Sequence, residues 1–444
     1  MSARVPKERV SRILALALPI IGGMVSQNVM NLVDTAMVGR LGKSALAAVG
    51  IAAFANFMAQ AFITGLSTGV QAMAARRLGE GNEERQAVPL NGGLLLAAAL
   101  GVPLSIVLFL LAPALFPYLV DDPSVVAEGV PYLQARLSAV AAVGMNFAFR
   151  GYWNGVNLSR LYMRTLVAMH AINIVVSYVL IFGKLGLPAL GTQGAGIGTA
   201  IATWGGTATY FGLGLVHARR NGFLKGLPDA RTVKTMLRLS VPAGVQQLFF
   251  AAGLTTLFWI VGRVGTAELA AANVLINLML VAILPGIGFG LAATSLVGQA
   301  LGRHQIDDAK RWGWDVVKVG GAVMMLVGVP MWLTPDLVLH VLTDDVATIE
   351  AARTPLRLFG ATVFVEAGRL ILQNALLGAG DTRRVMFVSI GLQWGLFLPI
   401  AFVLGPVMGY GLVAIWSCMI AYGFVQTGVF WAMWQRGSWA SIEV

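Results

Sequence analysis

Charge is scarce in this sequence. Asp, Glu, Lys and Arg together make up 11% of its 444 residues, against roughly a quarter in a soluble domain. Cysteine is scarcer still: Cys418 stands alone, which excludes an intramolecular disulfide and a cysteine metal site. No GxxxxGK[ST] segment occurs, so ATP is not the expected energy source. HExxH is absent, and no Ser–His–Asp set falls on plausible neighbouring helices, so neither a zinc protease nor a serine hydrolase is expected. Nothing resembles a selectivity filter or a ring of pore charges. The chain is read as a non-enzyme that needs no metal and no cofactor.

Apolar sequence is abundant: 57% of the residues are hydrophobic. A helix needs about 20 such residues to cross a bilayer. Twelve runs qualify, near 11–38, 47–75, 88–117, 128–153, 161–183, 193–217, 236–261, 270–298, 313–334, 348–376, 384–405 and 410–435. The first, with its basic start MSARVPKER, has the outline of a signal peptide. It is kept as a mature helix, because a matching run recurs mid-chain around Pro242.

That recurrence is general. Residues 16–182 shifted by 223 positions fall without a gap on 239–405. Pro19 lands on Pro242, VGRLG (Val38 to Gly42) on VGRVG, Asp121-Asp122 on Asp344-Asp345, and WNGVNLSR on LLGAGDTR. Six spans per copy is an even number, so both copies enter the membrane in one direction, as parallel repeats. The expected fold is all-α, two six-helix lobes at 1–222 and 223–444.

The net charge of +11 follows topology rather than nucleic acid. With both termini cytoplasmic, most Lys and Arg fall in cytoplasmic segments. The richest joins the copies, His217 to Arg238, and the two Asp pairs lie in outward loops.

Ionisable groups at membrane depth are costly and mark functional candidates. Asp34, His170, Glu366 and Arg369 qualify, with Arg150 near a helix end. Gln27, Asn31 and Asp34, spaced 4 and 3 apart, share one arc of the first span, with Met24, Asn28 and Thr35 at its edge. That arc is expected to face the bundle interior or a wet cavity. The alternative is an acid solvated near the outer interface. Asp34 falls on Leu257 in the second copy, so the scaffold does not require it. On the fifth span His170, Asn173 and Ser177 recur at 3 and 4, and on the sixth Thr199, Thr203 and Thr207 recur at 4. These are donors and acceptors for a carboxyl, although membrane threonines often bond only to their own backbone. His170 reads as a helix-end residue, with a relay as the alternative. Thr362, Glu366, Arg369 and Gln373 share a face of the tenth span. Glu366 falls on Val143 and Arg369 on Asn146, so this pair too is an asymmetric addition, either functional or a structural ion pair.

LPIIGGMVSQNVMNLVDTAMVGRLG, NIVVSYVLIFGKLGLPALGTQGAG, LVGQALGRH and LLGAGDTRR resemble the multidrug and toxic compound extrusion (MATE) family over essentially the whole chain, with bacterial DinF-type and NorM-type features. The resemblance implies a V of two bundles with a central cleft, and export of amphipathic or cationic compounds in exchange for protons or sodium ions. It implies a cation-coupling role for Asp34, with Asn173 in its network; Thr199 joins the coupling candidates through the polar spacing of the sixth span. Ser177 stands where the family often has an acid. Glu366 matches an acid of a second-lobe cation site, whose partner acid, expected near Phe250, is missing. Asp381 matches a loop motif that orders a turn. Met24, Gln27, Asn31, Phe249 and Phe250 are candidate substrate contacts, and Pro19 a point of bending.

The resulting expectation is a monomeric, multi-pass exporter in a bacterial inner membrane, whose partners are small xenobiotics and lipid, coupled through Asp34 to protons or sodium. Alternatives are a lipid-linked oligosaccharide flippase of the same superfamily, which calls for several basic cavity residues, and a non-transporting scaffold.

Overall fold

The computed structural model describes residues 5–444, so the first four residues of the basic start lie outside the described part. Every regular element among them is helical. The first copy comprises α1 (Lys7–Gly39), α2 (Lys43–Ala61), α3 (Leu66–Gly79), α4 (Val88–Leu115), α5 (Pro123–Leu137), α6 (Val140–Gly155), α7 (Ser159–Phe182) and α8 (Gly191–His217). The second comprises α9 (Ala230–Gly262), α10 (Thr266–Ala282), α11 (Leu284–Gly302), α12 (Ile306–Leu333), α13 (Pro335–Leu339), α14 (Val346–Gly378), α15 (Thr382–Leu392), α16 (Leu398–Phe402) and α17 (Gly411–Arg436). Adding 223 to the starts of α1, α2, α5 and α7 (7, 43, 123 and 159) gives 230, 266, 346 and 382, the starts of α9, α10, α14 and α15.

Among the described residues nine helical runs are long and apolar enough to cross a membrane. The other three expected spans differ for local reasons. The run near 128–153 is divided at Ser138 into α5 and α6, each too short alone. α8 is rich in Gly and Thr, and α14 carries Glu350, Arg353, Arg357, Glu366 and Arg369. Outward-facing Leu32, Leu110 and Leu326 are about 70% exposed, the inverse of a soluble surface.

Matching acids start matching helices. Asp122 accepts from the Ser124 amide at 2.8 Å at the head of α5, and Asp345 from the Thr348 amide at 3.0 Å at the head of α14. The second Asp of each pair is an N-cap. Where the copies differ, so does the winding. Two π-wound stretches, Gln393–Phe397 and Val403–Val407, flank α16, next to Pro399 and at Pro406, where the first copy has Val176 and Gly183.

The helices form two compact units. One is Gly22–Gly244; the other combines residues 5–21 with Val245–Val444. Relative to lobes at 1–222 and 223–444, the leading parts of α1 and α9 are exchanged. The two boundaries, 21/22 and 244/245, are again 223 apart, each just after a proline, Pro19 or Pro242. In the second unit Ile13, Leu16 and Ala17 of α1 join a core of α9, α11, α12, α14 and α17 side chains, with Trp416, Trp434 and Phe430 fully buried. In the first unit Asp229 precedes α9, and its carboxylate accepts from the Thr232 amide at 2.9 Å. Close approach in that unit depends on small residues. The segment GLSTG (Gly65 to Gly69) has the spacing of a hydrolase nucleophile elbow, yet its glycines serve packing. A Cβ on Gly65 would lie 2.4 Å from the Gly244 nitrogen, and one on Gly69 2.2 Å from Ser240 Oγ.

Candidate functional site

Past the 21/22 boundary α1 runs against α7, with Gly23 seated on Tyr162 and Leu166. One turn on, His170 ties the helices together. Its Nδ1 lies 2.8 Å from Ser26 Oγ and its Nε2 3.0 Å from Gln27 Oε1. The amide acceptor at Nε2 fixes a proton on that nitrogen, which leaves Nδ1 to accept from the Ser26 hydroxyl. Gln27 then donates to Asn31 Oδ1 at 3.1 Å. His170 is therefore a buried mid-helix residue, 3% exposed in the body of α7, not the helix-end residue its sequence position suggested.

Asp34 lies two turns beyond Gln27 and is half-buried. Its Oδ1 is shielded from solvent and meets no hydrogen-bond donor among the described residues. The charge whose field reaches it is that of Arg136 on α5. Its counterpart Leu257 is an ordinary core residue at 4% exposed. The polar arc is thus partly open: Asn31 and Thr35 are exposed, and Met24 and Asn28 half-buried, with the Asn28 side chain bonded to the Met24 carbonyl.

Asn173, Ser177 and Thr199 gather separately where α7 meets α8. Asn173 donates to Thr199 Oγ1 at 2.8 Å. A Cβ on Gly198 would lie 2.3 Å from Ser177 Oγ, so the helices are almost in backbone contact. Asn173 Oδ1 and Ser177 Oγ are buried without partners. No hydrogen bond joins this group to Asp34 among the described residues. Thr199, Thr203 and Thr207 each bond back to their own helix, and Thr207 also donates to Asn146 Oδ1 at 2.8 Å.

In the second unit Arg369 grips Glu366. Its Nε donates to both carboxylate oxygens at 2.9 Å, and Nη2 donates to Oε1 as well. Its Nη1 donates to Gln373 Oε1 at 3.3 Å. Thr362 bonds to the Leu358 carbonyl and takes no part. Phe249 and Phe250 are 38% and 39% exposed, and the Phe249 ring meets Trp394 edge-on.

Two copies of one unit, with asymmetric acids on spanning helices, call for comparison with known proteins. The family model described as MatE matches twice, over residues 19–179 and 242–403. The chain belongs to the MatE family. It is 28% identical over 433 residues to the probable multidrug resistance protein NorM of Thermotoga maritima, covering 94% of this chain and 91% of that one. It is 30% identical over 417 residues to a protein of the same name from Xanthomonas axonopodis pv. citri, covering 91% and 89%. A solved structure described as the outward-facing conformation of a multidrug resistance MATE family transporter superposes with a TM-score of 0.89 at 21% identity, covering 98% of this chain and 97% of that one.

As a MatE member the chain is a multi-pass membrane transporter and not an enzyme. The segment LLGAGDTRR forms a turn. Gly380 is left-handed at φ 94°, and the Asp381 amide donates to the Leu376 carbonyl at 3.0 Å before α15 begins. Burial pushes the Asp381 carboxyl above the ordinary aspartate range, and Arg384, 3.6 Å away, opposes that shift.

Sequence reading missed five further residues. Ser26 fixes His170. Arg9 and Arg12, at the head of α1, bind Asp308, Asp315 and Gln299 of the second unit. Tyr422 of α17 stands within electrostatic reach of Glu366 and Arg369, with buried Gln426 one turn further along that helix. Their one sequence signal is again asymmetry, since Arg9 falls on Thr232 and Asp308 on Arg85 at the repeat shift.

Proposed function

We propose that this MatE member is a secondary active multidrug exporter of a bacterial inner membrane. It exchanges amphipathic or cationic compounds for protons or sodium ions by alternating access, with Asp34 as the main coupling site. The observation that carries the reading is the shielded Asp34 oxygen without a donor, on a spanning helix, at a position where the other copy holds buried Leu257.

An ionised carboxylate shielded from water within a spanning helix is costly. An unmet buried polar atom adds to that cost. A proton or a sodium ion taken up by Asp34 supplies the missing partner and cancels the charge. Uptake thereby favours one arrangement of α1 over another, and a ligand shifts a conformational equilibrium by its differential affinity. Release of a bound compound on one side and discharge of the cation on the other then follow from alternation between the two arrangements.

Several features support the assignment. α1 is shared between the two units and bears Pro19 just before the boundary, so its bending is a means of linking cation uptake to movement. His170 holds Gln27 and, through it, Asn31 in line with Asp34. Asn173, Ser177 and Thr199 provide two further unmet oxygens in the same unit. Exposed Phe249 and Phe250, with Met24, supply apolar surface suited to flat, greasy compounds. Relatives named multidrug resistance protein NorM point to the same substrate class.

The test is transport in reconstituted vesicles with proton and sodium gradients imposed separately. Asp34→Asn is expected to fold, insert and lose gradient-driven export with both ions. Undiminished export from that variant sinks the assignment.

A further inference from the structure

The second unit carries a built ligand set that the coupling reading leaves unused. Around the Glu366–Arg369 pair stand neutral oxygens: Oε1 of Gln373, which accepts from Arg369 Nη1, and the Tyr422 hydroxyl. Tyr422 lies within electrostatic reach of both Glu366 and Arg369, and Gln426 stands one turn further along the same helix. Gln426 is 1% exposed, and its Oε1 is buried without a partner among the described residues. α17 comes close at this level, since a Cβ on Gly423 would sit 3.7 Å from Glu366 Oε2.

One negative charge with several neutral oxygens is the donor chemistry of a hard cation, and a single carboxylate balances a monovalent one. A cation already stands there. The Arg369 guanidinium spans both Glu366 oxygens and Gln373, with the two charged side chains 16% and 20% exposed. The scaffold does not demand this arrangement, because the first copy has Val143, Asn146 and Arg150 at the positions of Glu366, Arg369 and Gln373.

We propose that Arg369 is a tethered counter-cation filling an oxygen-lined sodium site of the second unit, so that Glu366 exchanges no ion during transport. The guanidinium neutralises the carboxylate from its own helix and cannot leave. Its planar fork takes both oxygens at once, which leaves no room for a sodium ion between them. Only the statement about transport rests on the coupled-exporter reading; the occupancy of the site does not.

The test compares purified wild type, Glu366→Gln, Arg369→Met and the double variant Glu366→Gln/Arg369→Met in sodium chloride and in choline chloride. Removing the arginine opens the site and leaves Glu366 in need of a cation. Sodium is expected to raise the melting temperature of Arg369→Met by about 2–4 °C more than that of wild type. The excess should vanish in the double variant, which has no carboxylate. A sodium response in Arg369→Met no larger than in wild type overturns the proposal, as does a wild-type response that Glu366→Gln abolishes.

Breaking a buried pair from one side often destabilises, whereas replacing both partners is often neutral. Should Arg369→Met fail to fold, the double variant in vesicles decides. An unchanged number of cations moved per substrate supports the proposal, and a lower number overturns it. If wild type shows no gradient-driven export, the coupling reading fails by itself and the sodium comparison still decides the occupancy of the site.

Discussion

Arg9 Nε donates to Asp315 Oδ2 at 2.6 Å, joining positions 306 residues apart. Its Nη1 donates to Asp308 at 2.7 Å, and its guanidinium lies 3.6 Å above the centre of the Trp312 ring. Arg12 adds a bond to Gln299 Oε1 at 2.8 Å. All these partners belong to the second unit, while α1 continues past residue 21 into the first. At the repeat-related place the start of α9 is held by different bonds. Arg77 donates to Thr232 at 3.1 Å, and Arg85 pairs with Asp229 at 3.8 Å with both side chains more than half exposed. Exposed pairs of that kind contribute little. The two exchanged helix starts are therefore anchored through different side chains.

Arg9→Ala is expected to cost on the order of 1–3 kcal/mol, the range for charge-assisted hydrogen bonds in a partly buried site. The loss should be local. Hydrogen exchange should rise across residues 7–21 and stay at the wild-type level across 22–39. Arg9→Lys should recover only part of the protection, because an ammonium cannot serve two carboxylates and the Trp312 face as a planar fork does. Uniform loss of protection along α1 would count against an anchor confined to the second unit.

His170→Ala should loosen α1 from α7 by about 1–3 kcal/mol, since Ser26 and Gln27 each lose a buried partner. His170→Gln preserves one of the two bonds and should fall between. If His170 acts only by holding Gln27 and Asn31 in line, export by His170→Gln should keep its gradient dependence at a reduced rate. Complete loss of coupling with normal folding would assign His170 a direct part in ion transfer.

Gly198→Val should be among the most damaging single changes in the first unit. Its Cβ would lie 2.3 Å from Ser177 Oγ and 2.8 Å from the Ser177 backbone, and overpacking of this sort costs about 1–3 kcal/mol or more. Gly205, two turns further along α8, has open space where a Cβ would stand, with no atom within 4 Å. Gly205→Ala should thus stay within about 0.5 kcal/mol of wild type. Thermal unfolding of the two variants separates close helix approach from mere glycine content.

Much of the architecture was legible because the chain states it twice. The shift of 223 that aligns Pro19 with Pro242 also aligns the helix starts and the unit boundaries, and it marked Asp34, Glu366 and Arg369 as additions to a shared scaffold. What stayed hidden depends on pairings that no local pattern encodes. Arg9 is one of several basic residues at a helix start, and nothing near it in sequence names Asp315. His170 looked like a helix end because spans were placed by hydropathy, which is blind to the buried Ser26 hydroxyl across the helix pair. The exchange of the leading parts of α1 and α9 was invisible for a similar reason. Repeat boundaries follow sequence, whereas packing units follow contacts, and a helix long enough to bend belongs to both.

The acidic pairs offer a pH test outside the membrane spans. The Thr348 hydroxyl and amide both donate to the Asp345 carboxylate, and these bonds hold its pKa below the ordinary aspartate value. Asp122 is lowered in the same way by Ser124. For an acid whose folded pKa is depressed, the stabilisation is fully present above the unfolded value, about 3.9, and is lost as the pH falls through the folded value. Asp345→Ala should therefore melt below wild type at neutral pH by a margin that holds down to about pH 4 and closes in stronger acid. Asp345→Asn keeps an oxygen acceptor without the charge, so its deficit at neutral pH should be smaller than that of the alanine variant. Melting curves of the three proteins between neutral and strongly acidic pH check this. A wild-type-to-alanine gap that stays constant through that range would mean that the cap acts through chain geometry alone, and that the carboxylate charge at the head of α14 contributes nothing.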